Sequence, residues 1–384
     1  MSPEPSRPVK VILGAICLCI LCGILIVGLW PFGAPANDVA WLKHENGLWF
    51  GEYGSILSSG MFADRGDATP CSVEIWIDPG ETFDSNNLIA FYAPENPKRF
   101  GVEQSGDDLF VARQIPQPDH QFRREHIFVD HVFRRGIKIL VTVTSGQDGS
   151  KIYLNGNWVK TSPEFRFTSK DVVGSLIIAN SPVSNYSWAG NLRGLAFYSS
   201  ELSAGQVARD YQVWSKNEDS TRLTGQNPIA IYSFQERSGS VVHNQVASQP
   251  DLFIPPHYFV LHERVLDWPW REFHWSTGYL QDDVVNVTGL IPLGLFFCAY
   301  FARVQRRNRP VLAAILVGAM ASLTIEVTQG WLPTRDSSCT DVITNISGTA
   351  IGALFYRLRF TQFLFAKFEA LVDVVLSDKI HLMG

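Results

Sequence analysis

Hydrophobic and polar residues are segregated along this chain, with apolar ends and a mixed, polar middle. Residues 11–29 are an uncharged apolar run, which at about 1.5 Å rise per residue is long enough for a hydrocarbon core of about 30 Å. The run predicts a transmembrane helix at residues 11–30, after a short N-terminal segment of residues 1–10. A cleaved signal peptide is the alternative, because Ala34-Pro35-Ala36 resembles a small-residue cleavage site.

The polar middle of the chain, residues 38–256, changes to a period of two. In one run three aliphatic residues alternate with Glu74 and Trp76, and a turn signal at residues 78–80 follows. Further strands are predicted at residues 88–92, 109–113, 137–144, 151–154, 175–179, 192–198 and 229–234. Many short strands with frequent turns favour an all-β sandwich or jelly roll over a parallel sheet.

The C-terminal part, residues 283–358, contains three apolar segments that predict three more membrane helices. These helices are expected at residues 284–302, 311–331 and 342–356. Arginines follow the first and third segments, at 303–309 and at 357–359. Since positive charge favours the cytoplasmic side, this distribution predicts cytoplasmic termini and a β domain outside the cytoplasm.

The segments that flank this bundle are amphipathic. Residues 257–282 form a linker expected at the outer membrane surface, because it is dense in aromatic residues: Trp268, Trp270, Phe273, Trp275 and Tyr279. In the tail of residues 360–384, residues 360–375 are apolar but interrupted by Lys367, Glu369 and Asp373. An interfacial amphipathic helix is therefore predicted there, with a fifth span as the alternative.

Composition excludes some classes of function. A net charge of -5 over 384 residues gives no electrostatic reason to expect a nucleic-acid partner. Four of the six cysteines lie in apolar segments, and the one CxxC spacing, Cys19 to Cys22, falls inside the first predicted membrane helix, so neither disulfides nor a zinc site is expected. No metal or other cofactor is predicted, and calcium in the β domain has no support beyond scattered acidic residues.

Polar residues within the apolar C-terminal segments are the main candidates for a site. Ser322, Glu326 and Gln329 are spaced i, i+4, i+7 and so share one helix face. Because an unpaired carboxylate in lipid costs several kcal/mol, Glu326 is expected to face the interior of the bundle.

The following helix carries a second polar stripe. Asp341 and Asn345 are followed by Gly348 and Gly352 at helical spacing. This GxxxG step is expected to let a neighbouring backbone approach and to bring Asn345 within reach of Glu326.

Other polar groups are predicted at the same, outer end of the bundle. Arg335 and Asp336 lie on the loop between the two helices, and Asp283 and Asn286 begin the first C-terminal span.

The middle domain resembles the laminin G-like or concanavalin A-like jelly roll. The resemblance rests on the hairpin Lys151-Ile-Tyr-Leu-Asn-Gly-Asn157 and on the late strand and leucine-serine turn of residues 188–203. Residues 231–239 resemble an opening strand of such modules, yet they stand near the end of the domain, so the strand order is expected to be shifted. Trp188 and Tyr198 are candidate glycan-binding rings, although such residues are more often part of the core.

The membrane segments resemble the VanZ-like family. The resemblance is carried by Glu326, Gln329, a loop with proline and Arg335, and then Asp341, Asn345 and Gly348. It implies a membrane α-helical bundle of about four helices with the jelly roll inserted after the first, in the bacterial cell membrane. The family name points to glycopeptide-antibiotic resistance but supplies no reaction.

We therefore predict an envelope protein whose jelly roll binds a glycan or a protein partner, with membrane lipid as a further partner. The alternative is a transporter, a flippase or a protein that modifies lipid-linked cell-wall precursors through Glu326 and Asp341. A purely structural polar network is equally compatible with the pattern. A hydrolase that uses Glu326 as base is disfavoured, because no histidine, nucleophile motif or metal-ligand set accompanies it.

Overall fold

The computed structural model describes residues 5–80, 85–117, 122–184, 187–216, 218–223, 227–247, 249–261, 265–266, 268–269 and 277–381. The chain divides into two compact units, one of Met1–Gly33 with Glu263–Gly384 and one of Ala34–His262. The predicted β domain of residues 38–256 falls inside the second unit. In the predicted aromatic linker, Trp270, Phe273 and Trp275 lie outside the described residues, whereas Trp268 is described and exposed.

The second unit is built from short antiparallel strands. In chain order they are β1 (Val39–Trp41), β2 (Leu48–Phe50), β3 (Ile56–Ser58), β4 (Cys71–Pro79), β5 (Ser85–Ala93), β6 (Asn96–Ser105), β7 (Asp108–Pro116), β8 (Phe122–Val129), β9 (Ile139–Gly146), β10 (Gly149–Leu154), β11 (Asn157–Ser162), β12 (Ser175–Ile178), β13 (Gly190–Tyr198), β14 (Pro228–Tyr232), β15 (Val241–Val242) and β16 (Leu252–Phe253).

These strands form two sheets that pack face to face. The first sheet has the order β1-β2-β13-β4-β9-β10-β11, with β14 paired to β13, and the second has the order β15-β16-β3-β12-β5-β6-β7-β8. A large apolar core, in which Phe50, Phe91 and Phe197 are fully buried, lies between them. The predicted jelly-roll sandwich is confirmed, and the late strand at 228–232 pairs with β13 rather than opening the domain.

Helix α2 (Ala204–Ser215) covers the outer face of the first sheet. Its residues Val207 and Trp214 pack on Trp76 of β4, which alternates with the aliphatic residues of that strand. Glu74 is likewise fully buried. The residues of β4 alternate between two faces of the sheet, as predicted. Helix α2 covers the second face, so that a second apolar core forms there.

The first unit is a helical bundle. It contains α1 (Arg7–Leu29), α3 (Thr277–Arg303), α4 (Pro310–Gln329), α5 (Cys339–Phe355) and α6 (Arg359–His381). Within the described residues, Arg7–Leu29, Leu280–Arg303 and Pro310–Gln329 are long and apolar enough to cross a membrane. The 17-residue α5 is the shortest of these five helices.

Apolar side chains on the outside of this bundle are exposed, as expected for a lipid-facing surface. Exposed examples come from three helices: Val11, Leu18, Val27, Leu316, Met320, Ile343 and Leu354.

Helix α6 contacts residues at one end of the bundle. Arg303, at the end of α3, donates to Glu369 at 2.7 Å and to the hydroxyl of Tyr356 at 2.9 Å. Ser6, at the start of α1, donates to Asp373. A helix that returned across the bundle from Arg359 would carry Asp373 about 20 Å away from that end. These contacts favour the interfacial placement of α6, which stays a prediction.

Candidate functional site

Glu326 lies in α4 and holds the beginning of α5. Its side chain is 2% exposed, and its Oε2 accepts a hydrogen bond from the backbone N–H of Ser338 at 2.9 Å. The Ser337 hydroxyl donates to the backbone carbonyl of Glu326 at 2.7 Å. As predicted from its cost in lipid, this carboxylate is inside the bundle, where it binds the N-terminal end of the next helix.

Ser338 is the N-cap of α5. Its hydroxyl accepts hydrogen bonds from the backbone N–H groups of Thr340 and Asp341, at 2.9 and 3.4 Å. Glu326 and Ser338 thus together satisfy three backbone N–H groups at this helix start, which would otherwise be costly in an apolar environment.

Two side-chain pairs connect α5 to its neighbours. Asn345 donates to the Ser322 hydroxyl of α4 at 3.0 Å, and Asn286 of α3 donates to Asp341 at 2.8 Å. Asn286 therefore contacts the polar cluster, as its predicted place at the same end of the bundle requires.

The glycine step of α5 has a different partner from the one expected. A Cβ added at Gly348 would lie 2.1 Å from the carbonyl oxygen of Val287, and one at Gly352 would lie 2.0 Å from that of Ile291. Both contacts are with α3, so the close backbone approach joins α5 to α3 rather than to the helix of Glu326. Asn345 reaches α4 through its side chain alone.

Gln329 and Arg335 bind the end of α1. The Gln329 side chain donates to the carbonyl of Gly28 at 2.6 Å, and Arg335 donates to the carbonyls of Trp30 and Val27 at 3.0 and 3.4 Å. These carbonyls belong to the last turn of α1 and to Trp30, which follows it, where carbonyl groups lack partners within the helix. The sequence predicted that both residues belong to one polar cluster, but it did not predict that they cap the first helix.

The remaining candidates lie at the edge of this cluster. Asp283 is half-buried about one turn before Asn286, and Asp336 is exposed on the loop between α4 and α5. One acceptor inside the cluster, Oδ1 of Asn345, is buried without a hydrogen-bond partner. Most of the other groups bind helix ends or one another, so the arrangement fixes helix register and leaves one amide oxygen for another donor.

Both aromatic candidates of the jelly roll belong to its cores. Trp188 is 1% exposed and donates to Gln104 at 2.7 Å, and Tyr198 is fully buried. Neither ring can present a face to a glycan. The Tyr198 hydroxyl instead lies 3.5 Å from Glu74, in the core beneath α2.

Glu74 is a buried carboxyl group beneath α2. It accepts a hydrogen bond from the indole of Trp214 at 3.0 Å. Burial, followed by the nearby charge of Asp210, raises the pKa of Glu74 above its ordinary value. Its neutral form is therefore favoured in the folded domain, and we assign it a role in docking α2.

Among the described residues, Asp107, Asp108 and His131 place potential metal ligands within 4.8 Å of one another. The Asp107 carboxylate and the His131 ring already pair at 2.6 Å, and both side chains are largely exposed. This geometry is that of a solvated ion pair, and it carries no assignment of a metal.

These two units define a class of protein: a membrane helical bundle that carries a jelly-roll domain. A family model described as VanZ/LLP1 matches residues 228–361, and a model described as the concanavalin A-like lectin/glucanases superfamily matches residues 51–208. The chain thus combines a VanZ-like membrane part with an inserted concanavalin A-like jelly roll.

Solved structures similar to this chain are binding domains and a pentraxin. The binding domain of Paraclostridial Mosquitocidal Protein 1 is 12% identical, with 46% of each chain covered and a TM-score of 0.35. The ligand binding domain of botulinum neurotoxin serotype D, in complex with N-acetylneuraminic acid, is 13% identical, with 46% of this chain and 45% of that chain covered and a TM-score of 0.36. A heptameric SAP-like pentraxin from Limulus polyphemus is 15% identical, with 58% and 93% covered and a TM-score of 0.35.

The chain spans about half the length of the first two of these structures. At such identities the likeness concerns the fold alone. The comparison with curated proteins gave no match.

Proposed function

We propose that this is a bacterial cell-envelope protein that holds its jelly roll outside the cytoplasm, where the domain binds a glycan or a protein partner. A contribution to envelope maintenance or glycopeptide-antibiotic resistance is part of this proposal. The observation that carries it is the placement of the helix ends within the bundle.

The helix ends connected to the jelly roll belong to one end of the bundle. Arg335, just before α5, binds the last carbonyls of α1. Asn286, in the N-terminal part of α3, binds Asp341 in the first turn of α5. The end of α1 and the start of α3, between which the jelly roll is inserted, therefore both lie near the start of α5.

The arginines belong to the opposite end. Arg303 ends α3 and binds Tyr356, which follows α5. Arg306, Arg307 and Arg309 continue from there toward the start of α4. By the positive-inside rule this arginine-rich end is cytoplasmic, which supports an outer location for the jelly roll.

The jelly roll itself is built as an insertion. Near its two ends, the N–H of Tyr258 donates to the carbonyl of Pro35 at 3.0 Å, and Ala36 forms an antiparallel bridge with His257. The chain thus enters and leaves the domain at neighbouring points. The match to a lectin and glucanase superfamily favours a glycan as the ligand.

Labelling with a membrane-impermeant maleimide tests the topology. In intact cells that produce the full chain, the Lys216→Cys variant should react, since this position is exposed at the end of α2. The Asn308→Cys variant, in the exposed link between α3 and α4, should react only after permeabilisation. The parent chain controls for the six native cysteines. Reaction of both variants from the same side would overturn the topology.

Co-sedimentation with insoluble peptidoglycan tests ligand binding. The full-length protein in detergent should be retained on the peptidoglycan. A variant that keeps the membrane segments but lacks the jelly roll should not be retained. Failure to bind peptidoglycan or any other envelope polysaccharide would leave a protein partner as the remaining form of the proposal.

The second candidate is a transporter, flippase or precursor-modifying protein that acts at the outer leaflet through Glu326 and Asp341. The unpartnered Oδ1 of Asn345 favours it, because that oxygen could accept a hydrogen bond from a lipid headgroup. The contact of Glu326 with the N-cap of α5 favours the structural role instead.

A further inference from the structure

A groove of about 580 Å³ lies on the outer face of the first sheet, between the β10–β11 hairpin and the start of α2. Volumes of this size are typical of small-molecule sites. Its lining combines an exposed aromatic ring with an ion pair, and it shares no residue with the aromatic candidates Trp188 and Tyr198.

Trp158 forms one wall of the groove. It stands opposite Tyr153 in the β10–β11 register, and 61% of its surface is exposed. Its indole N–H donates to the Thr161 hydroxyl at 2.9 Å, which holds the ring in place. An exposed ring with a fixed orientation is a preformed platform, because little conformational entropy remains to be lost on binding.

An ion pair forms the polar part of the groove. The Lys151 ammonium lies 2.8 Å from Glu201 Oε1. The exposed fraction is 31% for the Lys151 side chain and 30% for that of Glu201. Gly146 makes room for this carboxylate, since a side chain there would overlap Glu201. The contact with Lys151 then holds the carboxylate at the groove.

The charges indicate the chemistry of the ligand. The ammonium and the carboxylate compensate each other, so the groove offers no net charge to an ionic ligand. Hydroxyl groups can donate to Glu201 and accept from Lys151 at once. A pyranose ring offers such hydroxyls around its edge together with an apolar C–H face that fits an aromatic ring.

We propose that this groove binds a neutral glycan, with one sugar stacked on Trp158 and its hydroxyls bound by Lys151 and Glu201. The proposal rests on the glycan-binding form of the proposed function and names its site.

Calorimetric titration of the full-length protein in detergent with the β-1,4-linked tetramer of N-acetylglucosamine provides the test. The Trp158→Ala variant should bind about tenfold more weakly or worse, because it loses the stacking surface, whereas Trp158→Phe should retain most of the affinity. Glu201→Gln should also weaken binding, because the ion pair and a charged acceptor are lost.

Trp49→Ala is the matched control. Trp49 is 42% exposed on the same outer face, on β2 toward the opposite edge of the sheet, while its neighbours Leu48 and Phe50 are in the core. Its replacement should leave the affinity unchanged. Thermal unfolding of each variant checks that the fold is retained.

The outcomes separate the groove from the broader proposal. Equal affinity of the Trp158→Ala and Trp49→Ala variants, with a wild-type protein that binds the tetramer, would overturn the groove and leave glycan binding standing. If the wild-type protein did not bind the tetramer, its retention on peptidoglycan would be compared with that of Trp158→Ala, and equal retention of the two would overturn the groove. Glycan binding as a whole would fall only if peptidoglycan sedimentation were also negative.

Discussion

Replacement of Gly348 by alanine should loosen the membrane bundle at the contact between α5 and α3. The added Cβ would lie 2.1 Å from the backbone carbonyl oxygen of Val287. Ordinary contacts between such atoms are more than about 3 Å long, so the two helices would have to separate by about 1 Å. Because the obstacle is backbone rather than a flexible side chain, a rotamer change cannot relieve it.

The cost can be estimated from this geometry. Overpacking of a well-packed interior costs about 1–3 kcal/mol, and the gain in helix propensity from glycine to alanine returns up to about 1 kcal/mol. A net destabilisation of about 1–2 kcal/mol is therefore expected. The separation would also stretch the 2.8 Å hydrogen bond between Asn286, which directly precedes Val287, and Asp341, which lies about two turns before Gly348.

Thermal unfolding of the full chain in detergent measures this effect. Gly289→Ala is the matched control, because Gly289 lies in α3 and a Cβ there would meet nothing within 4 Å. The control should unfold at the wild-type temperature or slightly above it, and Gly348→Ala should unfold at a lower one. Equal unfolding temperatures for the two variants would refute the close approach of α5 to α3.

The further predictions concern the other polar contacts. Glu326→Ala removes the carboxylate that accepts from the N–H of Ser338 and should lower the free energy of unfolding in detergent by about 1–3 kcal/mol. Glu326→Gln should retain most of the stability. An alanine variant as stable as the wild type would refute the assigned role of Glu326 in holding the start of α5. If Glu326→Gln keeps normal protein levels but abolishes an envelope or resistance phenotype, the second candidate function is favoured. The pKa of Glu74 is raised in the folded domain, so the unfolded chain loses this proton at a lower pH. The free energy of unfolding should therefore be greatest below the ordinary carboxyl pKa. It should fall as the pH rises above that value, by at most about 1.4 kcal/mol per pH unit. Glu74→Gln should flatten this dependence in urea unfolding measured across pH, and an unchanged slope would contradict the assignment. Arg303→Gln breaks the contact with Glu369 and should make α6 more susceptible to cleavage in limited proteolysis. An unchanged cleavage rate would show that other contacts hold α6.

Local patterns were enough to predict much of the fold. The Asn155-Gly156 pair predicted a tight hairpin, and both residues have the positive φ angles that such a turn requires, 51° and 82°. The apolar runs predicted the helices of the bundle, and the cost of a charge in lipid predicted that Glu326 is internal. Each of these features depends on neighbours within a few residues or on the solvent.

Helix α2 also had a local signal, although we did not predict it. Gln206 accepts from the N–H of Ser203 at 3.0 Å, as in a capping box. Val207, Tyr211 and Trp214 follow at i, i+4, i+7, which is the spacing of one helix face.

Only the tertiary structure decided which surfaces meet. The period of β4 separates two faces, but it does not tell that α2 buries Glu74 and Trp76 on the second one. Likewise, the spacing of Gly348 and Gly352 predicts a close approach without identifying α3 as the partner. The physical reason is that periodicity defines faces locally, whereas the choice of partner depends on packing free energies summed over residues far apart in the chain.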